Sequence, residues 1–332
     1  MFNYILMPFA INLFDGNTNV TTDSGLSAEM KTYYSDYLID LAQPKLVHAQ
    51  FGQKAPIPKN GGKRIEFRQF DPLPKALTAL TEGVTPDGQK MSVKTIDVTV
   101  NQYGGYVELS DILMLTAIDN NLVQATKALA SQAGRTLDTL TREVMVGGTN
   151  VQYAEGQVSS RAALVGGQES GNHYLTVDAI RQAVRTLKRM DAPTIDGSYV
   201  GIIHPDASYD LMSDPKWVNV KSYSDPTGIY EGEIGKIENV RFVETSEAKI
   251  FEGAGASGRD VYATMILGDD AYGVSEITGG GLQHIVKQLG SAGTADPLNQ
   301  RATAGWKATH AAIRLVEAYM VRIETASTFH NA

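Results

Sequence analysis

Six histidines, His48, His173, His204, His284, His310 and His330, are the side chains of this sequence best suited to moving a proton or ligating a metal. No two of them fall within one helical turn, so the H-E-x-x-H spacing of a helical zinc site is absent. There is no cysteine, which removes thiolate ligands, thiol nucleophiles and disulfides together. Gly232-Glu233-Ile234-Gly235-Lys236 ends as a phosphate-binding loop does. It is two residues short, and Ile237 follows the lysine where a magnesium-ligating Ser or Thr belongs. Gly255-Ala256-Ser257-Gly258-Arg259 carries Arg where a nucleophile elbow requires its second Gly. Gly268-Asp269-Asp270 places two carboxylates together as polymerases do, but lies between Ile266-Leu267 and Ala271-Tyr272 and reads as a hairpin turn. Asp36 and Asp40 sit four apart on an expected helix, where like charges repel slightly and a solvated face is the simple reading. These residues give no catalytic residue, no metal site and no cofactor.

Charge argues in the same direction. The formal net charge of −8 does not suit a protein that binds nucleic acid over its whole surface. The basic cluster Lys59, Lys63, Arg64 and Arg68 could face DNA, yet Glu66 and Asp71 interleave with it, so it better matches acidic surface on a neighbouring subunit. Hydrophobic content of 42% with 20% charged residues belongs to an ordinary folded protein, and 332 residues suffice for about two domains. No run approaches the ~18 apolar residues of a membrane helix. The apolar start, MFNYILMPFAINLF, lacks a basic n-region and a small-residue cleavage site, so it reads as an arm that packs on a neighbour; Met7 could equally be the natural start.

The elements that carry these residues follow from periodicity. Residues 1–25 read as an extended arm, and Ser27 caps a helix to about Gln43 that Pro44 ends. Lys63–Phe70 and Val93–Val100 alternate apolar and polar residues as half-buried antiparallel strands do. Between them, residues 71–92 form a Pro/Gly-rich excursion longer than compact domains usually carry. The dominant element is a helix over about 120–146, with Leu122, Leu129, Leu137 and Leu140 on one stripe and roughly 40 Å long at 1.5 Å per residue. Asp119 or Asn120 caps it, and Gly147-Gly148 is expected to stop it in the left-handed conformation. Residues 149–171, rich in Gly, Ser and Gln, read as a linker or flexible loop. A second helix spans Thr176–Met190 and a strand Tyr199–His204; a short helix follows near Asp206–Met212. Further strands are expected at Ile234–Val243, Val261–Leu267 and Leu282–Lys287. Ala302–Ala326 is strand-like, although Ala308–Val321 also fits a helix, and periodicity leaves both open.

This order of parts resembles the major capsid proteins of tailed bacteriophages, whose Johnson fold is shared with encapsulin shells and the herpesvirus capsid floor. The resemblance is carried by Tyr230 to Thr245, with its G-x-I-G-x-I-x-x-V strand-turn-strand pattern, and by Arg301 to Thr309 around Trp306. It is nearest to the capsid family of podoviruses with giant virion RNA polymerases and related gut phages. The resemblance implies an α+β fold with four parts: residues 1–46 as arm and first helix, 47–101 as extended β-hairpin loop, 102–171 with 280–332 as a peripheral domain, and 172–279 as an inserted axial α/β domain. It implies a non-enzymatic subunit that forms pentamers and hexamers of an icosahedral shell around double-stranded DNA, which it would meet on the inner face without sequence specificity. Portal, scaffold and decoration proteins would be partners, no membrane would be involved, and the virion, assembled in the host cytoplasm, would be its location. Intersubunit contacts would come from Lys63, Arg64, Arg68, Asp71, Lys75, Glu82, Asp87 and Lys90. An encapsulin-type shell or, on other grounds, an α/β enzyme are the alternatives.

Overall fold

The structure, a computed structural model, describes residues 46–57, 63–70, 73–85, 87–116, 121–166, 173–217, 233–276, 282–291 and 296–329. The expected arm, the helix over 27–43, Lys59, Asp71 and the cap of the long helix lie outside the described residues.

Among the described residues strands dominate, arranged in four sheets. β1 (Gln53–Ala55) lies parallel to β11 (Tyr272–Ser275), which pairs on its other side with β14 (Ala312–Arg314). β2 (Arg64–Phe70) and β3 (Val93–Thr99) form a separate two-stranded hairpin in full register, Arg64 opposite Thr99 and Phe70 opposite Val93. β4 (Asn101–Ser110) pairs along its whole length with β13 (Arg301–His310), and β12 (Leu282–Lys287) flanks β13. The largest sheet runs from β5 (Val151–Tyr153) through β15 (Met320–Thr325), β10 (Val261–Leu267), β6 (Tyr199–Ile203) and β8 (Val240–Glu244) to β7 (Glu233–Ile237), with β9 (Ile250–Phe251) on the edge of β10.

Helices cover the sheets where their apolar stripes require. After α1 (Asp111–Thr116), the spine helix α2 (Asn121–Val146, 26 residues) lies on the β4–β13–β12 sheet. Leu129, Ala130, Ala133 and Leu137 pack there against Leu282, Ala304, Trp306 and Ala308, with Leu122 and Leu140 partly buried in the same cluster. α3 (Val177–Arg189) turns Ile180, Ala183, Val184 and Leu187 onto the large sheet, against Tyr262, Ile266, Val321 and Ile323. Thr176 caps α3 by accepting the Ala179 N–H at 3.2 Å. α4 (Pro205–Met212) starts on Pro205, whose missing N–H costs nothing at a helix start, and His204 Nδ1 accepts the Asp206 N–H.

Several expectations are corrected by pairing that is distant in sequence. The spine helix does not stop on a left-handed glycine: neither Gly147 nor Gly148 has positive φ. Backbone and side chain share its last carbonyls: Gly147 and Gly148 donate their N–H groups to Glu143 O and Met145 O, and Arg314 Nη1 of β14 donates to Val144 O at 2.6 Å. Just past the helix, Arg322 Nη1 donates to Gly148 O at 3.1 Å. Residues 149–166 are not a free linker. β5 adds to the large sheet, and Arg161 makes two 2.7 Å hydrogen bonds to the fully buried Glu324 of β15. Gly268-Asp269-Asp270 is a turn but not a hairpin, because β10 and β11 belong to different sheets. Its N–H groups are taken by other segments, Gly268 by Tyr319 O and Asp269 by Pro193 O. Ile234–Val243 is not one strand but divides at Glu238-Asn239, both at positive φ as tight hairpin turns demand, into β7 and β8, the strand-turn-strand that the Tyr230 to Thr245 pattern implies. In the tail, β13, β14, a 3-10 turn at Glu317–Tyr319 and β15 replace the helical alternative. Their ladders with β4, β11 and β10 supply hydrogen-bond partners that a local period cannot reveal. The large sheet therefore takes strands from 151–153 and 320–325 as well as from 199–267, across the expected limits of the inserted segment.

Candidate assembly surfaces

One exposed surface is built on the β2–β3 hairpin. Alternation sends Ile65 and Phe67 inward, where they join Val100 and Ala311 with Ile96, Val98, Ile313 and Leu315 around them. The opposite face carries Arg64, Glu66 and Arg68, all exposed. Beyond Phe70 and before Val93, residues 73–85 and 87–92 have no regular secondary structure. Two short backbone contacts and one hydrogen bond between the arms, Gln89 Nε2 to Pro74 O at 3.3 Å, hold this excursion. It presents apolar side chains to solvent: Leu77 is 86% exposed, Leu80 77% and Val84 63%. Several large apolar side chains this exposed on one segment are consistent with a surface that another molecule covers.

The charged residues expected here are all on that surface where described. Arg64 pairs with Asp97 at a loose 3.8 Å, with both side chains exposed, so the pair contributes little. Lys63 is exposed, while its carbonyl accepts the Val100 N–H that closes the hairpin base. Arg68, Lys75, Glu82, Asp87 and Lys90 are exposed and form no ion pair with the described residues. They are not brought together into one cluster; they are strung along the loop.

The hairpin is seated by a close approach. A Cβ placed on Gly273 of β11 would stand 2.4 Å from Phe67 Cε1 and 2.5 Å from Cζ. Gly273→Ala is expected to push Phe67 off β11 and destabilise the subunit by about 1–3 kcal/mol. Urea unfolding of unassembled subunits checks this, and protease cleavage of the loop should rise in parallel.

Two further surfaces are apolar and open. On the outer face of the β4–β13–β12 sheet, Gly104, Gly305, Tyr106 and Ile285 line a groove of about 410 Å³, with Lys307 on its rim. Its floor is low because side chains do not fit: a Cβ on Gly104 would lie 2.7 Å from Trp306 O. α1, next to the start of the spine helix, leaves Ile112 and Leu115 exposed.

What sequence reasoning missed is the interior junction at the loop's root. Asp138, on the buried face of the spine helix, accepts the His48 N–H at 2.7 Å through Oδ1 and lies 2.6 Å from His48 Nδ1 through Oδ2. Both side chains are buried. Tyr272 of β11 donates its hydroxyl to the His48 carbonyl. A signal existed: Asp138 falls at helical spacing with the buried Ala130, Gly134, Thr141 and Met145. Among the described residues, no group of three His, Asp or Glu side chains is placed to hold a metal ion, and no helix is long and apolar enough to cross a membrane.

The sequence model of a family described as phage capsid protein matches residues 42–295. The chain belongs to this family of phage capsid proteins. No curated protein sequence matches it. The capsid protein is similar in structure to the capsid of Ralstonia phage GP4, with 16% identity, 86% of this chain and 87% of that chain covered, and a TM-score of 0.67. It is also similar to the head structure of Helicobacter pylori bacteriophage KHP40 (9% identity; 84% and 88% covered; TM-score 0.60). The capsid of cyanophage P-SCSP1u is a third likeness (15% identity; 83% and 87% covered; TM-score 0.59). The fold is thus the tailed-phage capsid fold, and the protein is a structural subunit of a phage shell.

Proposed function

We propose that this capsid protein is the major shell subunit, forming the pentamers and hexamers of an icosahedral head that encloses double-stranded DNA. The exposed excursion at 73–92 supports this reading most directly. It is a long apolar and charged surface for which the described chain supplies no partner, carried on a hairpin that the core holds firmly. In the assembled shell the loop lies across an adjacent subunit, and Lys63, Arg64, Arg68, Asp71, Lys75, Glu82, Asp87 and Lys90 meet opposite charges there. Repetition around closed rings multiplies such modest contacts into a stable assembly. The 102–171 and 280–332 segments form the peripheral part around the spine helix, and 172–279 forms the axial part at capsomer centres, with β5 and β15 tying the two together. Leu122, Leu129, Leu137 and Leu140 keep the spine rigid. Packaged DNA is met on the inner face without sequence reading, and portal, scaffold and decoration proteins complete the particle in the host cytoplasm. The finer affinity to podoviruses with giant virion RNA polymerases rests on the Tyr230 to Thr245 pattern and on Arg301 to Thr309 around Trp306.

Purified protein, taken through a series of salt and crowding conditions, should give closed shells or capsomers by negative-stain electron microscopy. A compact monomer under every condition, and no such subunit in the heads of phage particles from the source, would remove the reading.

A further inference from the structure

His310 ends β13 where the spine helix, β11 and the segment entering the extended loop meet, and its side chain is buried among them. Its Nε2 lies 3.0 Å from Thr141 Oγ1 and its Nδ1 3.3 Å from Ser275 Oγ. Thr141 donates its hydroxyl to Leu137 O at 3.1 Å, so its oxygen must accept from the ring, and the ring hydrogen sits on Nε2. Nδ1 is then left to accept the Ser275 hydroxyl, whose oxygen in turn accepts the Ala311 N–H at 3.0 Å. Every donor of this chain is used once. One turn back on the same helix is Asp138, already engaged by His48. The charged group that acts on His310 is Asp138 of the helix, which is itself bound by His48 of the incoming segment, and Tyr272 of β11 donates to the His48 carbonyl. β4 offers Asn101 opposite it, and Arg314 of β14 is directed to Val144 O instead.

We propose that this junction is an acid-released latch: neutral His310 locks the spine helix to β11 and β13, and protonating it opens that joint together with the His48–Asp138 clasp at the root of the extended loop. A proton on Nδ1 turns an acceptor into a donor facing the Ser275 hydroxyl, which must rotate away and lose its partner. It also creates a buried cation whose nearest carboxylate already serves His48. Burial holds His310 far below the usual histidine range, at about 4, although Asp138 pulls the other way. In an open or unfolded chain the same ring takes up its proton near 6.5. The closed state therefore keeps its full advantage above about 6.5 and loses it progressively as pH falls towards about 4, below which this group adds nothing more. Across that window the open population rises on the order of a few hundredfold. The latch is a property of the single subunit, so its test stands apart from shell assembly.

Hydrogen exchange of unassembled full-length subunits, corrected for intrinsic rates, reads it directly. Peptides covering 46–57 and 136–146 should lose protection relative to α3 between pH 6.5 and 4. His310→Gln, which keeps a donor but cannot take up a proton, should be flat over that interval. A flat wild type, or an equal decline in both proteins, overturns the proposal. Should the variant fail to fold, a carbon-13 histidine titration of the wild type decides: the His310 ring, hydrogen-bonded to the Thr141 hydroxyl, should titrate near 4, and a midpoint near 6.5 overturns it.

Discussion

A subunit lacking residues 72–90 is expected to fold with nearly unchanged stability and to form no shells. The deletion removes Leu77, Leu80 and Val84, which are exposed in the subunit and so contribute no core burial. It leaves β2 and β3 joined by three residues, a length that hairpins accept, and retains Ile65 and Phe67 in their cluster. Shortening a surface loop also costs little in closure entropy, and slightly favours the folded state. The subunit's urea midpoint should therefore match that of the full chain within experimental scatter. Assembly is different, because each loop is missing from every contact around a ring and the losses multiply. Electron microscopy and light scattering of the two proteins under identical assembly conditions make the comparison. Shells of normal size from the shortened chain would end the role given to the loop.

Asp138→Ala is expected to carry a large stability penalty, about 3–5 kcal/mol, because it removes one partner of a buried pair and leaves the other without compensation. The alanine strands both the His48 N–H and its ring nitrogen in a space closed to water. Asp138→Asn should fall between alanine and the wild type, since an amide oxygen can still accept the backbone N–H while the charge is lost. Urea unfolding of unassembled subunits measures both. A loss below about 1 kcal/mol for the alanine would show the junction to be open to solvent. The same variant should release the loop's root first, seen as protease cleavage near residues 46–57 at denaturant concentrations that leave α3 intact.

The sequence alone determined the elements whose signal is local. The spine helix follows from a 3.6-residue period that puts Leu129 and Leu137 on one face, and both are buried. The loop hairpin follows from a two-residue period over Lys63–Phe70 and Val93–Val100, which fixes which side chains face inward once the register is set. The phage capsid family was legible as well, through glycine and apolar patterns that must recur wherever the same turns are built. The exposed loop could be read too, because its Pro and Gly residues deny it a regular partner.

Only the tertiary structure decided how those elements close on one another. Nothing near Gly147 announces that Arg314 will reach a carbonyl of the last helical turn, Val144 O, or that neither glycine will take the left-handed conformation. Nothing in 149–166 shows that it will pair with β15, nor that Arg161 will meet a buried Glu324. The His48–Asp138 pair joins residues 90 apart, and the Tyr272–His48 bond spans 224. A helical or strand period reports which side of an element is apolar, because that side repeats every few residues. It carries no record of which distant donor will satisfy a buried acceptor, since that choice is made by packing, where an unpaired polar group costs more than the local preference can offset.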